Sequence, residues 1–238
     1  MKYLIANWKM NSIDISKWKN DFEDHYKEFK DNLEIIICPN FIDLSECSEK
    51  FINLSLGAQD VSSHSEGSFT GQISARQLLR VTDKLKYCIV GHSEVRHKGD
   101  SNFIVREKSE QLINNNIEPI LCIGEDKESL IRGERESFLL HQLNSYFENG
   151  SCPRLIAYEP IWAIGIGRAA DQKNIKEALE IISKFLKYKK LEKIPLLYGG
   201  SVSAENIEEI MALSYLSGCL VGNSSLDGKE FARIAKKF

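Results

Sequence analysis

Leu155-Ile156-Ala157-Tyr158-Glu159-Pro160-Ile161-Trp162 opens with four apolar residues and then presents a carboxylate. A run this short, with no polar alternation, suits a strand buried on both faces, as in parallel sheets. Working outward, runs of the same kind recur at Tyr3–Ala6, Glu34–Cys38, Leu54–Ala58, Tyr87–Val90, Pro119–Ile123, Ile194–Tyr198 and Gly218–Val221. The segments between them are charged and carry helical rhythm. Over Asn174–Leu186 the apolar set Ile175, Ala178, Leu179, Ile182 and Leu186 follows the 3–4 spacing. Phe103–Ile113 and Leu130–Phe147 read as helices in the same way, and Ser74-x-x-Gln77 reads as a capping box opening another. Eight strands alternating with helices over 238 residues give about 30 residues per unit, the period of a closed (β/α)8 barrel. A doubly wound open sheet is the competing architecture. No linker, repeat or composition shift divides the chain, so the expected organisation is α/β, one single-domain barrel over residues 1–238.

Composition narrows the function classes. Lys and Arg number 31 against 34 Asp and Glu, a formal charge of −3, which lacks the basic footprint of nucleic-acid binding. No apolar run approaches a membrane span. The N-terminus reaches Asn7 and Lys9 too soon for a signal peptide. These readings predict a soluble, cytoplasmic enzyme. The six cysteines show no Cys-x-x-Cys pair and the five histidines no ligand spacing, so no metal is expected. Cys38, Cys88, Cys122 and Cys219 lie in or at the end of apolar runs and read as buried thiols.

In a parallel barrel the carboxyl ends of the strands form the active face. Asn7 and Lys9 follow the first run, His92 and Glu94 the fourth, and Glu159 ends the sixth. A carboxylate, an imidazole and an ammonium at one mouth can take a proton, polarise a carbonyl and hold an anion. Gly165-Ile166-Gly167, Gly199-Gly200-Ser201 and Gly222-Asn223-Ser224 follow the later runs. Glycine lets backbone N–H groups approach an anion closely, and barrels of this kind bind phosphate after strands seven and eight. Residues 60–72 form a long loop with no helical period, and Phe69 near its tip favours docking on a partner.

Two motifs compete and fall short. Gly165-x-Gly167-x-x-Ala170 fits a dinucleotide fingerprint, but it does not follow a strand directly and Lys187 stands where an acid belongs. Gly91-His92-Ser93-Glu94-Val95 misses the last glycine of a hydrolase elbow, and only His97 and His141 follow Ser93.

Asn7-Trp8-Lys9-Met10-Asn11, Gly91-His92-Ser93-Glu94, Cys122-Ile123-Gly124-Glu125, Ala157-Tyr158-Glu159-Pro160-Ile161-Trp162-Ala163-Ile164-Gly165, Tyr198-Gly199-Gly200-Ser201-Val202 and Leu220-Val221-Gly222 resemble, in order, the signature segments of the triosephosphate isomerases. The resemblance implies the TIM barrel and a cofactor-free interconversion of dihydroxyacetone phosphate and D-glyceraldehyde 3-phosphate through an enediolate, in glycolysis and gluconeogenesis. It makes Glu159 the base, neutral His92 the hydrogen-bond donor to the carbonyl oxygen, and Lys9 the cation beside that oxygen. Asn7 then completes the polar wall and Glu94 supports the site from beside His92. Gly165, Ser201, Gly222 and Asn223 offer backbone N–H groups to the phosphate, with Asn223 expected to tolerate a positive φ. Residues 163–167 become a lid, with hinges at Pro160–Trp162 and Arg168–Ala170. The loop 60–72 becomes the contact of a homodimer, with Thr70 directed at the partner's Lys9 and the partner's His92.

Departures from the family pattern carry expectations of their own. Ile166 and Arg168 stand where Thr and Lys are common, and Asn223 stands where a second Gly is usual. Gln72 and Val95 replace a Glu and an Arg that often pair across the dimer, which predicts a dimer with little salt sensitivity. The competing functions are weaker. A phosphate sensor on the same barrel needs no Glu159, a Schiff-base aldolase finds only Lys9 and the wrongly placed Lys86 near strands, and a macromolecular binding surface finds no charge block.

Overall fold

The computed structural model describes residues 1–27, 30–163 and 170–238. Eight parallel strands close into a barrel in sequence order: β1 (Lys2–Asn7), β2 (Leu33–Cys38), β3 (Ser55–Ala58), β4 (Leu85–Val90), β5 (Glu118–Ile123), β6 (Leu155–Tyr158), β7 (Leu196–Tyr198) and β8 (Leu216–Val221), with β8 pairing back to β1. Each apolar run of the sequence has become one strand, and the open-sheet alternative is excluded. The described helices are α1 (Ile15–His25), α2 (Leu44–Lys50), α3 (Ala75–Val81), α4 (Ser93–Arg96), α5 (Asn102–Ile113), α6 (Lys127–Ile131), α7 (Arg135–Phe147), α8 (Gln172–Tyr188), α9 (Ile207–Met211) and α10 (Gly228–Lys236). None is long and apolar enough to cross a membrane.

The double burial of the strands explains their unbroken apolar runs. Tyr3, Ile5, Ile36, Tyr87, Ile89, Ile120, Leu155 and Leu197 fill the barrel interior. Their neighbours Leu4, Ala6, Ile35, Ile37, Cys88, Val90, Leu121 and Ile156 face outward into the layer under the helices. Both residues of each step are therefore removed from water, and a polar residue costs stability on either face. Cys38, Cys88, Cys122 and Cys219 are all buried, and burial pushes their thiols well above the ordinary range, so they act as small hydrophobes.

The helices follow their local signals, with one correction. Ser74 and Gln77 form the capping box: Ser74 Oγ accepts from the Gln77 N–H and Gln77 Oε1 accepts from the Ser74 N–H. In α8 the five residues of the 3–4 pattern are all buried. The stretch Leu130–Phe147 is not one helix. It divides into α6 and α7 around Gly133 at φ +71°, a left-handed conformation that ends a helix and that glycine adopts without strain.

Candidate active site

Because the strands are parallel, their carboxyl ends meet at one mouth, and the polar residues beyond them line one cavity of about 170 Å³. Asn7, Lys9, His92, Glu159, Ser201, Gly222 and Asn223 all contribute to its wall. Seven residues separated by up to 216 positions thus share one space sized for a small molecule.

Lys9 is set by its backbone. It lies at φ +52°, a conformation that costs a non-glycine residue about 1–2 kcal/mol. Two hydrogen bonds hold it there: the Lys9 N–H donates to Asn7 Oδ1 (3.1 Å), and Gln59 Nε2 donates to the Lys9 carbonyl (2.9 Å). Lys9 Nζ then donates to Glu94 Oε1 (2.6 Å). Burial alone would raise the Glu94 carboxyl. The Lys9 hydrogen bond, His92 and the Lys9 charge outweigh it, and the group is held below the usual glutamate value. Glu94 therefore braces Lys9 more directly than it supports His92, whose Nδ1 lies 3.7 Å from Glu94 Oε2.

His92 caps the single turn of α4, where its Nδ1 accepts the Glu94 N–H (3.2 Å). An accepting Nδ1 places the proton of the neutral ring on Nε2. Nε2 points across the mouth and lies 3.1 Å from Glu159 Oε1. Glu159 is 2% exposed, and its Oε2 accepts the Ser93 N–H (3.0 Å). Glu159 Oε1 makes no hydrogen bond within the described residues, and a buried carboxylate with a free oxygen beside an imidazole can exchange protons with a molecule held between them.

The opposite wall is made of turns. After β7 come Gly199, Gly200 and Ser201, and Asn206 clamps this turn by donating to the Ser201 carbonyl (3.1 Å) and accepting the Ser203 N–H (2.9 Å). After β8, a 3-10 turn over Asn223–Ser225 follows Gly222, which takes ψ −109°. Asn223 is not among the residues with positive φ, so the expectation that it must tolerate one is corrected. The unusual backbone falls on Gly222 instead, and Asn223 enters the turn in an ordinary conformation.

Of the expected lid, Ala163 ends a 3-10 turn over Ile161–Ala163, whereas residues 164–169, with Gly165, Ile166 and Arg168 among them, lie outside the described residues. The segments on either side of them are anchored. Trp162 Nε1 and Tyr158 OH both donate to Glu125 Oε1 (3.0 Å each), which also accepts from Arg135 Nε (3.1 Å). The Ala170 N–H donates to Tyr198 OH (3.1 Å). Glu125, Gln59, Asn206 and the Ser93 N–H were given no role in the sequence reading. Glu125 had a visible signal, a carboxylate just past a strand end like Glu159; the other three act through backbone contacts that no spacing reveals. Among the described residues, no group of three or more His, Cys, Asp or Glu is placed to hold a metal ion.

The family model for triosephosphate isomerase matches residues 2–238. The chain belongs to the triosephosphate isomerase family. A triosephosphate isomerase of Prochlorococcus marinus is 38% identical over 98% of this chain and 96% of its own length. One from Colwellia psychrerythraea is 36% identical over 95% and 93%. The crystal structure of triosephosphate isomerase from Bartonella henselae superposes with a TM-score of 0.86 at 27% identity, covering 99% of this chain and 98% of that one. Triosephosphate isomerases are thus matched from end to end, and the site segments fall within the matched length.

Proposed function

We propose that this chain interconverts dihydroxyacetone phosphate and D-glyceraldehyde 3-phosphate as an aldose–ketose isomerase, the step shared by glycolysis and gluconeogenesis, on one barrel spanning residues 1–238. The contact between Glu159 Oε1 and His92 Nε2 inside the Lys9 cavity carries the reading. A C–H beside a carbonyl is a very weak acid, so a carboxylate base succeeds only if the developing oxyanion is stabilised as the proton leaves. Glu159 takes the proton from one carbon and returns it to the next. His92 donates its Nε2–H to the carbonyl oxygen and takes up the proton of the neighbouring hydroxyl, so that the O–H passes from one oxygen to the other as the C–H passes between the carbons, and Lys9 lies beside the developing charge. One well-aimed donor in such a site is worth about 3 kcal/mol of barrier.

Glu159 rests on the Ser93 N–H and the imidazole, contacts it exchanges for substrate when the cavity fills. Asn7 and Glu94 hold Lys9 in register. The backbone N–H groups of Gly165, Ser201, Gly222 and Asn223 receive the phosphate, which fixes the three-carbon chain between base and donor. No cofactor enters this chemistry, because the reaction moves only protons.

The active form is a cytoplasmic homodimer joined through residues 60–72. Met10 and Ile42 are 96% and 91% exposed. Their loops are tied together by Asn40 Nδ2 donating to the Asn11 carbonyl, and to the start of the long loop through Gln59. Exposed apolar side chains grouped this way suit a covered surface.

The test is conversion of glyceraldehyde 3-phosphate by the purified chain with chelator present and no cofactor added. Turnover is expected. A folded protein that binds phosphate without turnover would instead be a sensor.

A further inference from the structure

Asn223 is exposed and is one of the residues that line the cavity. Its carboxamide makes no hydrogen bond to any described residue, whereas its backbone is firmly held. The Leu226 N–H donates to the Asn223 carbonyl (3.1 Å). The Ser225 N–H and Oγ both donate to the Gly222 carbonyl (2.8 and 2.7 Å). Trp18, 3% exposed, donates its Nε1–H to the Ser225 carbonyl (2.9 Å), and stacks on Phe22 with its ring edge toward Phe51. The turn is therefore pinned to the core while one amide at its start is left without a partner. Across the same cavity lies Lys9, whose Cε is 3.4 Å from where a Cβ on Gly222 would sit.

We propose that the Asn223 carboxamide is a side-chain donor to the substrate's phosphoryl oxygens, adding a contact that a glycine at this position cannot make. The inference rests on the isomerase reading and extends it from the backbone of Asn223 to its side chain. An N–H donor that meets a dianion makes a charge-assisted hydrogen bond, and this one forms in exchange for water, with no bond inside the protein broken. Because the backbone of the turn is already held, only the rotamer freedom of the side chain is lost on binding. A carboxylate of the same shape would repel the ligand.

The test titrates inorganic phosphate into the wild-type chain and into Asn223→Ala, Asn223→Gly and Asn223→Asp, following protein amide shifts by NMR. The alanine and glycine variants are expected to bind phosphate about three- to tenfold more weakly, the loss of one hydrogen bond of ordinary net strength. The aspartate variant is expected to lose more, and KM for triose phosphate is expected to rise in the same order. Unchanged or tighter phosphate binding by the alanine or the glycine variant overturns the proposal, as does an aspartate variant equal to wild type. The titration needs no turnover. A wild type that binds phosphate through Asn223 without isomerising contradicts the activity and leaves this inference standing; a wild type that turns over while the variants bind equally well contradicts this inference alone.

Discussion

Lys9 shows what the site asks of a single residue. Its left-handed backbone is opposed by ordinary sterics and maintained by Asn7 and Gln59, and the result is an ammonium aimed across the mouth at Glu94. Burial acts to raise the Glu94 carboxyl, but the Lys9 contact is a principal reason it lies below the usual glutamate value of 4.5. A group whose pKa is lowered on folding stabilises the fold above its unfolded pKa, and that contribution disappears as pH falls through the folded value. Titration of Glu94 followed by carboxyl NMR should give a midpoint below 4.5, and Lys9→Met should move it upward; a midpoint indifferent to Lys9 would contradict the pairing. Lys9, His92 and Glu159 were legible because each is a chemistry-bearing side chain just past an apolar run. Gln59, Asn206 and the Ser93 N–H were not, since their effect lies in which backbone atom they meet. Asn223 was legible as a position and misread as a conformation: the unusual angle belongs to Gly222.

At the scale of elements, the strands were readable because a doubly buried strand leaves no room for polar alternation. Helix α8 was readable from its apolar stripe. The division of α6 from α7 was missed because apolar residues continue in helical spacing on both sides of Gly133, whose backbone angle alone sets the break. A second glycine shows how tightly element ends govern the site. A Cβ on Gly124, just beyond β5, would lie 1.7 Å from the Glu159 carbonyl oxygen. No side chain fits there unless the end of β6 moves, and the base moves with it. Gly124→Ala should lower stability by about 1–3 kcal/mol and reduce turnover at least tenfold, since a displacement of about 1 Å can cost a hundredfold in rate. Thermal unfolding and kinetics of the variant measure both, and an alanine variant with wild-type turnover would show that the β5–β6 junction does not position Glu159.

For the whole molecule, closure of the sheet does what no local feature can: it brings residues 7 through 223 around one cavity. The repeat of strand and helix made that closure legible, while the proposed dimer is argued from the surface character of residues 60–72, Met10 and Ile42. Gln72 accepts from Ser62 within its own chain, and Val95 carries no charge, so no ion pair between these two positions is available to hold two copies together. Sedimentation at micromolar concentration should show a dimer whose dissociation changes little between low and high salt, because apolar contacts are not screened; a monomer, or a dimer that falls apart in salt, would contradict this. In the proposed reaction Glu159 moves the proton. The most direct test is the conversion of dihydroxyacetone phosphate to glyceraldehyde 3-phosphate by wild type and Glu159→Gln side by side, with phosphate binding measured on both. The amide, unable to accept a proton, should lower turnover about a thousandfold or more while phosphate still binds. Turnover within tenfold of wild type in Glu159→Gln would contradict it.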